Sequence, residues 1–186
     1  MNKLSKLLKN KTALSTVITT LIILVVSILL ASVLTYFAVN VVSTRVQEES
    51  LYVSRQHIWV NSAGAAEGAV MVTNNGGRDV VINKVAVRGQ QSAWDTVFYA
   101  VAGEDDDLTT DLSYVTAPVE ADNDIGLNAT ATQATKNLVL PSGSTMVIYF
   151  NDPDSIGLND IGLTVSISLH SAQAVYYSEV NIEAKT

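Results

Sequence analysis

Cysteine is absent from this 186-residue chain, and histidine, proline and aromatic residues are scarce: two His, three Pro and 6% Phe, Trp and Tyr together. Without cysteine there is no disulfide framework, no thiolate zinc site and no thiol nucleophile. The two histidines, His57 and His170, lie far apart in sequence, each in a strand-like pattern. An ordinary structural role is expected of both. The nucleophile elbow G-x-S-x-G, the zinc motif H-E-x-x-H and the phosphate loop G-x-x-x-x-G-K-[ST] do not occur. The chain is therefore not expected to be an enzyme, and no cofactor is expected. Basic residues are also in the minority, with 11 Lys and Arg against 18 Asp and Glu and a net charge of −7. This argues against nucleic acid as a partner, because phosphate contacts need Lys and Arg.

Three further absences are local. No Gly or Pro precedes Gly64, and no charged residue occurs from Thr12 to Thr44. No acidic residue occurs among the first eleven positions, which hold Lys3, Lys6, Lys9 and Lys11. A basic start before a long apolar run places the amino end in the cytoplasm and the carboxyl end outside. The run ALSTVITTLIILVVSILLASVLTYFAVNVVSTRVQEESL, from residue 13 to about 50, reads as one helix. Its first thirty residues are apolar all round, which suits lipid or a fully buried position. Its many β-branched residues lower helix propensity in water, but in lipid the backbone has to bond internally.

Length separates this helix from a plain anchor. About 20 residues cross the hydrocarbon of a bilayer, whereas the uncharged run would extend about 50 Å. A secretory signal has an apolar region of about 7–15 residues and an A-x-A-like cleavage site, and neither fits here. The surplus length asks for burial somewhere besides the membrane. Small residues, Ala31, Ser32, Thr35 and Ala38, would let helices approach closely.

From Tyr52 the period changes. Strands are expected near Arg55–Asn61, Gly68–Thr73, Asp79–Arg88, Asp95–Val101, Lys136–Leu140, Ser144–Phe150, Gly162–His170 and Ala174–Ala184. Turn signals separate them: NNGG at 74–77, PSG at 141–143 and NDPD at 151–154. Short strands at this spacing imply an antiparallel sandwich or barrel. Residues 103–135 form a polar, acidic insertion with no legible structure. The echo DIGLN, SIGLN and DIGLT reads as recurring turn chemistry. Acidic loops at 103–107, Asp111, 121–124 and 151–154 offer oxygen ligands, but none has EF-hand spacing. They read as solvated loops, and no metal is expected.

A basic leader, the junction KT-ALST, an overlong apolar helix and a β-rich acidic head together resemble the archaeal type IV pilin-like superfamily of adhesion pilins and archaellins. ALSTVITTLIILVVSILLASVLTYF is similar to the start of archaeal pilins, with Thr16 where proline often stands. ASVLTYFAVN (31–40) resembles the corresponding part of archaellin helices. NNGGRDVVINKVAVRG (74–89) is similar to the first hairpin of the superfamily's heads. Bacterial type IV pilins carry Glu at the fifth mature position, where this chain has Val17.

The resemblance implies an α+β chain: a long N-terminal hydrophobic helix followed by an all-β, immunoglobulin-like sandwich head. It implies a leader at 1–12, a transmembrane and filament-core helix at 13–53, and an extracellular head at 54–186. Cleavage by a prepilin peptidase would fall at Lys11, Thr12 and Ala13, between the last two. The filament core would be built from Ile18, Leu21, Ile22, Val25, Leu29, Ala31, Ser32, Val33, Thr35, Tyr36 and Ala38. The implied partners are other copies of the chain, the prepilin peptidase, and an assembly ATPase with its membrane platform. The membrane holds the precursor before assembly. Asn128, in the sequon Asn128-Ala129-Thr130, is a candidate N-glycosylation site. An archaellin, or a monomeric membrane-anchored binding module, are the alternative readings.

Overall fold

A stretch without Gly or Pro folds as helix α1, Lys11–Val46. The computed structural model of the protein describes residues 11–46, 48–103, 106, 108–115, 131–153 and 156–185. The chain forms two compact units, which divide between Arg45 and Val46. At 36 residues, α1 is about 54 Å long.

Ten strands follow: β1 Leu51–Asn61, β2 Ala66–Asn74, β3 Val80–Val87, β4 Gln90–Gln91, β5 Val97–Val101, β6 Thr132–Gln133, β7 Leu138–Leu140, β8 Thr145–Asn151, β9 Thr164–Ser171 and β10 Val175–Lys185. They form one curled sheet in the order β4-β3-β9-β10-β1-β2-β8-β5-β6, with β7 also paired to β3. The eight expected strands are all present. β4 and β6, two residues each, are additions. β1 begins at Leu51, earlier than the alternation suggested, because the Leu51 side chain is buried in the head and the Asn75 N–H donates to the Ser50 carbonyl at 2.8 Å.

Pairing is antiparallel throughout except between β1 and β10. β10 turns the corner of the sheet. Its residues Val175–Asn181 pair with β9, and Ile182–Lys185 pair in parallel with Ile58–Asn61 of β1. The inner face of the curl holds the main core, which includes Ile58, Val70, Ile82, Ile148, Phe150, Ile167 and Ile182. Two irregularities keep apolar residues on that face. In β3 the register shifts between Ile82 and Lys84, so Val80 and Ile82 point inward and then Val85 and Val87. In β1 it shifts between Ser54 and His57. Leu51 and Val53 face inward before the bulge, Ile58 and Val60 after it.

Buried polar and glycine positions explain two close approaches. A Cβ on Gly68 would overlap the ring of Phe150, its register partner on β8. A Cβ on Gly76 would lie 2.7 Å from the Glu48 carbonyl oxygen. Asn74, fully buried, donates to the Arg78 and Leu140 carbonyls at 2.8 and 3.1 Å and accepts from the Gly76 N–H at 3.0 Å. It locks the turn that the NNGG signal marks.

Candidate functional sites

The apolar surface of α1 is one candidate. Leu14–Thr44 is long and apolar enough to cross a membrane, and its residues are exposed. Of the residues expected in a filament core, Val25 is 45% exposed and Tyr36 73%. Ile18, Leu21, Ile22, Leu29 and Val33 lie between these limits, and Ala31, Ser32, Thr35 and Ala38 are exposed as well. Thr19, Ser27, Ser32, Thr35 and Thr44 each return a hydroxyl proton to the carbonyl four residues back, at 2.7–2.9 Å. Thr20 bonds the carbonyl of Val17 at 2.9 Å. Hydroxyls so occupied can enter a medium without water at little cost. Lys11, Thr12 and Ala13 form the first helical residues. Asn128 lies outside the described residues.

The second candidate is on the outer face of β1, β2, β8 and β5. The β1 bulge, where Arg55 takes a positive φ of 50°, turns His57, Trp59 and Asn61 to this side. Ala69 and Met71 of β2, Phe98 and Ala100 of β5, and Val147 and Tyr149 of β8 join Trp59 in a second apolar cluster. Both faces of β2 and β8 are therefore covered, and these strands lose the half-exposed pattern of a surface sheet. The cover comes from the acidic insertion: Leu112 and Val115 are buried in the cluster, with Leu108 and Tyr114 beside it.

Polar ties fix residues 108–115 there. The Arg55 guanidinium donates to the Thr110 carbonyl. His57 Nε2 lies 3.0 Å from Asp111 Oδ1, and its Nδ1 is 3.6 Å from Glu183 Oε1. The imidazole stacks on Trp59, centroids 5.0 Å apart, and Trp59 meets Tyr114 edge-on. Asn61 Nδ2 donates to Tyr114 Oη at 3.2 Å, and Lys185 Nζ sits 5.7 Å from the centre of the same ring. Tyr149 Oη donates to the Ser113 carbonyl at 2.9 Å. The Val115 N–H donates to Glu67 Oε1 at 2.8 Å.

Glu67 is the unusual group. It is 4% exposed, and burial pushes its carboxyl up to about 7, offset in part by the Val115 hydrogen bond. Asp111, by contrast, is held below its ordinary value, chiefly by its hydrogen bond to His57. The sequence did carry a signal for Glu67: a lone carboxylate between Ala66 and Gly68 at the head of the apolar run GAVMV. His57 serves as a pin between strand and insertion, a structural part. His170, on β9 opposite Lys84 and Val175, is not brought into this cluster. Among the described residues, no group of three or more His, Asp or Glu side chains could hold a metal ion. Within the second echo, Leu158–Asp160 is a 3-10 turn closed by Asp160 Oδ2 accepting from the Gly157 N–H at 3.0 Å.

No protein-family model matches the chain, and no curated protein matches it in sequence. The similar solved structures include a family 123 glycoside hydrolase from Clostridium perfringens, at 8% identity and a TM-score of 0.33, over 74% of this chain and 27% of that one. They also include a beta-glucosidase from Listeria innocua in complex with glucose, at 14% identity and a TM-score of 0.26, over 73% of this chain and 16% of that one. The chain thus spans about a quarter or less of these enzymes' length, and the likeness is too slight to bear on activity.

Proposed function

We propose that this chain is the structural subunit of an extracellular type IV pilus-like filament, an adhesion pilin. The observation that carries this reading is α1: a helix of 36 residues, longer than a bilayer needs, apolar and exposed over Leu14–Thr44, with six of its hydroxyls bonded to its own carbonyls. Lipid would hold the helix first. Packing against other copies then exchanges lipid for protein, so extraction need not expose apolar surface to water.

In this reading the β-rich unit is the immunoglobulin-like sandwich head that coats the filament, and the helix is its core. Prepilin peptidase would cut between Thr12 and Ala13 and remove four of the eleven basic residues. The mature subunit would carry 7 basic and 18 acidic residues, a charge of about −11, which discourages non-specific contacts between filaments. Assembly would draw on the ATPase and membrane platform of such systems. The same features serve an archaellin in a motility filament, and the test below does not depend on that choice.

Electron microscopy of the cell surface with and without the protein, paired with amino-terminal sequencing of surface material, tests the proposal. Filaments that disappear with the protein, and a mature terminus at or near Ala13, are expected. An intact Met1 or Asn2 on a surface without filaments would instead favour a monomeric membrane-anchored binding module.

A further inference from the structure

We propose that residues 108–115 are a strap whose docking on the outer face of β1, β2 and β8 is switched by the ionisation of Glu67: closed over the neutral carboxyl, loosened over the carboxylate. The proposal rests on the head alone and is independent of the filament reading.

The geometry has three parts. First, the strap is held by discrete ties to neighbouring strands rather than by strand pairing: Arg55, His57 and Asn61 on β1, Glu67 on β2 and Tyr149 on β8. A segment held this way can open locally while the sheet stays folded. Second, its apolar anchors, Leu112 and Val115, sit over the cluster that contains Met71, Phe98 and Val147, so lifting it would uncover that face. Third, Glu67 lies beneath the strap and accepts from the strap's own Val115 N–H. Docking therefore removes water from Glu67, and undocking returns it.

The charged groups around Glu67 do not relieve it. On β1, Trp59 is its register partner and on β8 Asn151 is, neither of them charged. Arg55 is committed to Thr110, and His57 to the strap's Asp111. On β10, Glu183 faces His57 and Lys185 lies over Tyr114. Among the described residues, no neighbouring charge contributes to the shift of Glu67, which comes from burial and the Val115 bond. A carboxylate formed there is desolvated without a counter-ion among the described residues, and that state favours release of the cover.

Linkage sets the size and sign of the effect. The docked strap holds the Glu67 carboxyl at about 7 against an ordinary 4.5. Docking therefore takes up a proton between these values and weakens as pH rises through them, by on the order of 10²-fold between pH 5 and 8. Hydrogen exchange on the full chain in detergent micelles reads this directly, as protection factors of the Leu112 and Val115 amides. In the parent protein they should fall on the order of 10²-fold from pH 5 to 8, while amides in the centre of β2 and β8 hold theirs. Glu67→Gln keeps the acceptor oxygen and cannot ionise, so most of that fall should vanish. Tyr149→Phe removes the Ser113 tie, and should lower protection at both pH values by a similar factor. Protection that is the same at pH 5 and 8 in the parent, or a fall that survives undiminished in Glu67→Gln, would overturn the proposal. So would loss of the pH dependence in Tyr149→Phe.

Discussion

Gly68 and Glu67 are adjacent on β2 and point to opposite faces, and each is constrained by what its face already holds. On the inner face, Phe150 occupies the space a side chain at position 68 would need. Gly68→Ala forces the ring or the strand to move inside a packed core, at a cost of about 1–3 kcal/mol. A fall in the urea midpoint with an unchanged slope, read from the tryptophan emission of the head, is the expected result; an unchanged midpoint would mean the ring has room to move. On the outer face, Glu67 makes overall stability depend on pH in the sense opposite to a salt-bridged carboxylate. Its folded value, about 7, is raised above the ordinary 4.5. Below about pH 4.5 both states are protonated and nothing is lost. Between 4.5 and 7 the native state binds more protons than the unfolded one, so stability falls as pH rises, and above 7 the loss is complete. With about 1.4 kcal/mol per pH unit, the full loss is on the order of 3 kcal/mol. Glu67→Gln should therefore match the parent at pH 4.5 and exceed it at pH 8, in urea unfolding of the same micellar protein. Equal stability at pH 8 would show that water reaches Glu67 in the native state.

At the scale of elements, α1 states its nature in the sequence because one property, the absence of charge over thirty residues, persists longer than any local exception. That persistence also makes it sensitive. If α1 is the membrane and filament helix we propose, Ile23→Asp or Val26→Asp places an ion where it would meet lipid or another copy, costing about 2.5–3.5 kcal/mol near the centre of a span. Membrane fractionation and electron microscopy should show such a variant absent from surface filaments. Filaments assembled with the charge in place would mean that this part of α1 is not buried in the assembly. The strands were legible for a similar reason, since Val and Ile alternate in TVSIS and NKVAVR. What escaped was non-periodic. The β1 bulge at Arg55 changes which face each residue takes, and a one-residue shift leaves no mark on composition. The strap has two apolar anchors, Leu112 and Val115, three residues apart inside a run dominated by Asp and Thr. Their partners Met71, Phe98, Val147 and Tyr149 come from three other strands, and no local pattern announces that meeting. The place of His57 between two carboxylates, Asp111 and Glu183, depends on the same fold-level encounter.

For the whole molecule, the division of apolar surface between the two units decides how the proposed assembly should fail. Among the described residues, 19 of the 28 large hydrophobic side chains that remain exposed belong to α1, and nine to the head. The head, by contrast, has its own core, a second covered face and a continuous set of strand pairings. A chain beginning at Val46 would keep all of these and lose the surface that water does not tolerate. It should fold, stay monomeric at micromolar concentration in analytical ultracentrifugation, and unfold in one cooperative step. Added to full-length subunits, it should neither enter filaments nor block their growth, because the driving surface is missing. If the truncated chain formed oligomers on its own, head contacts would carry a large share of assembly and the helix would act mainly as an anchor. If it were monomeric but still co-assembled, the helix would be dispensable for recognition between copies. A monomer that stays out of filaments places the assembling force in the apolar helix.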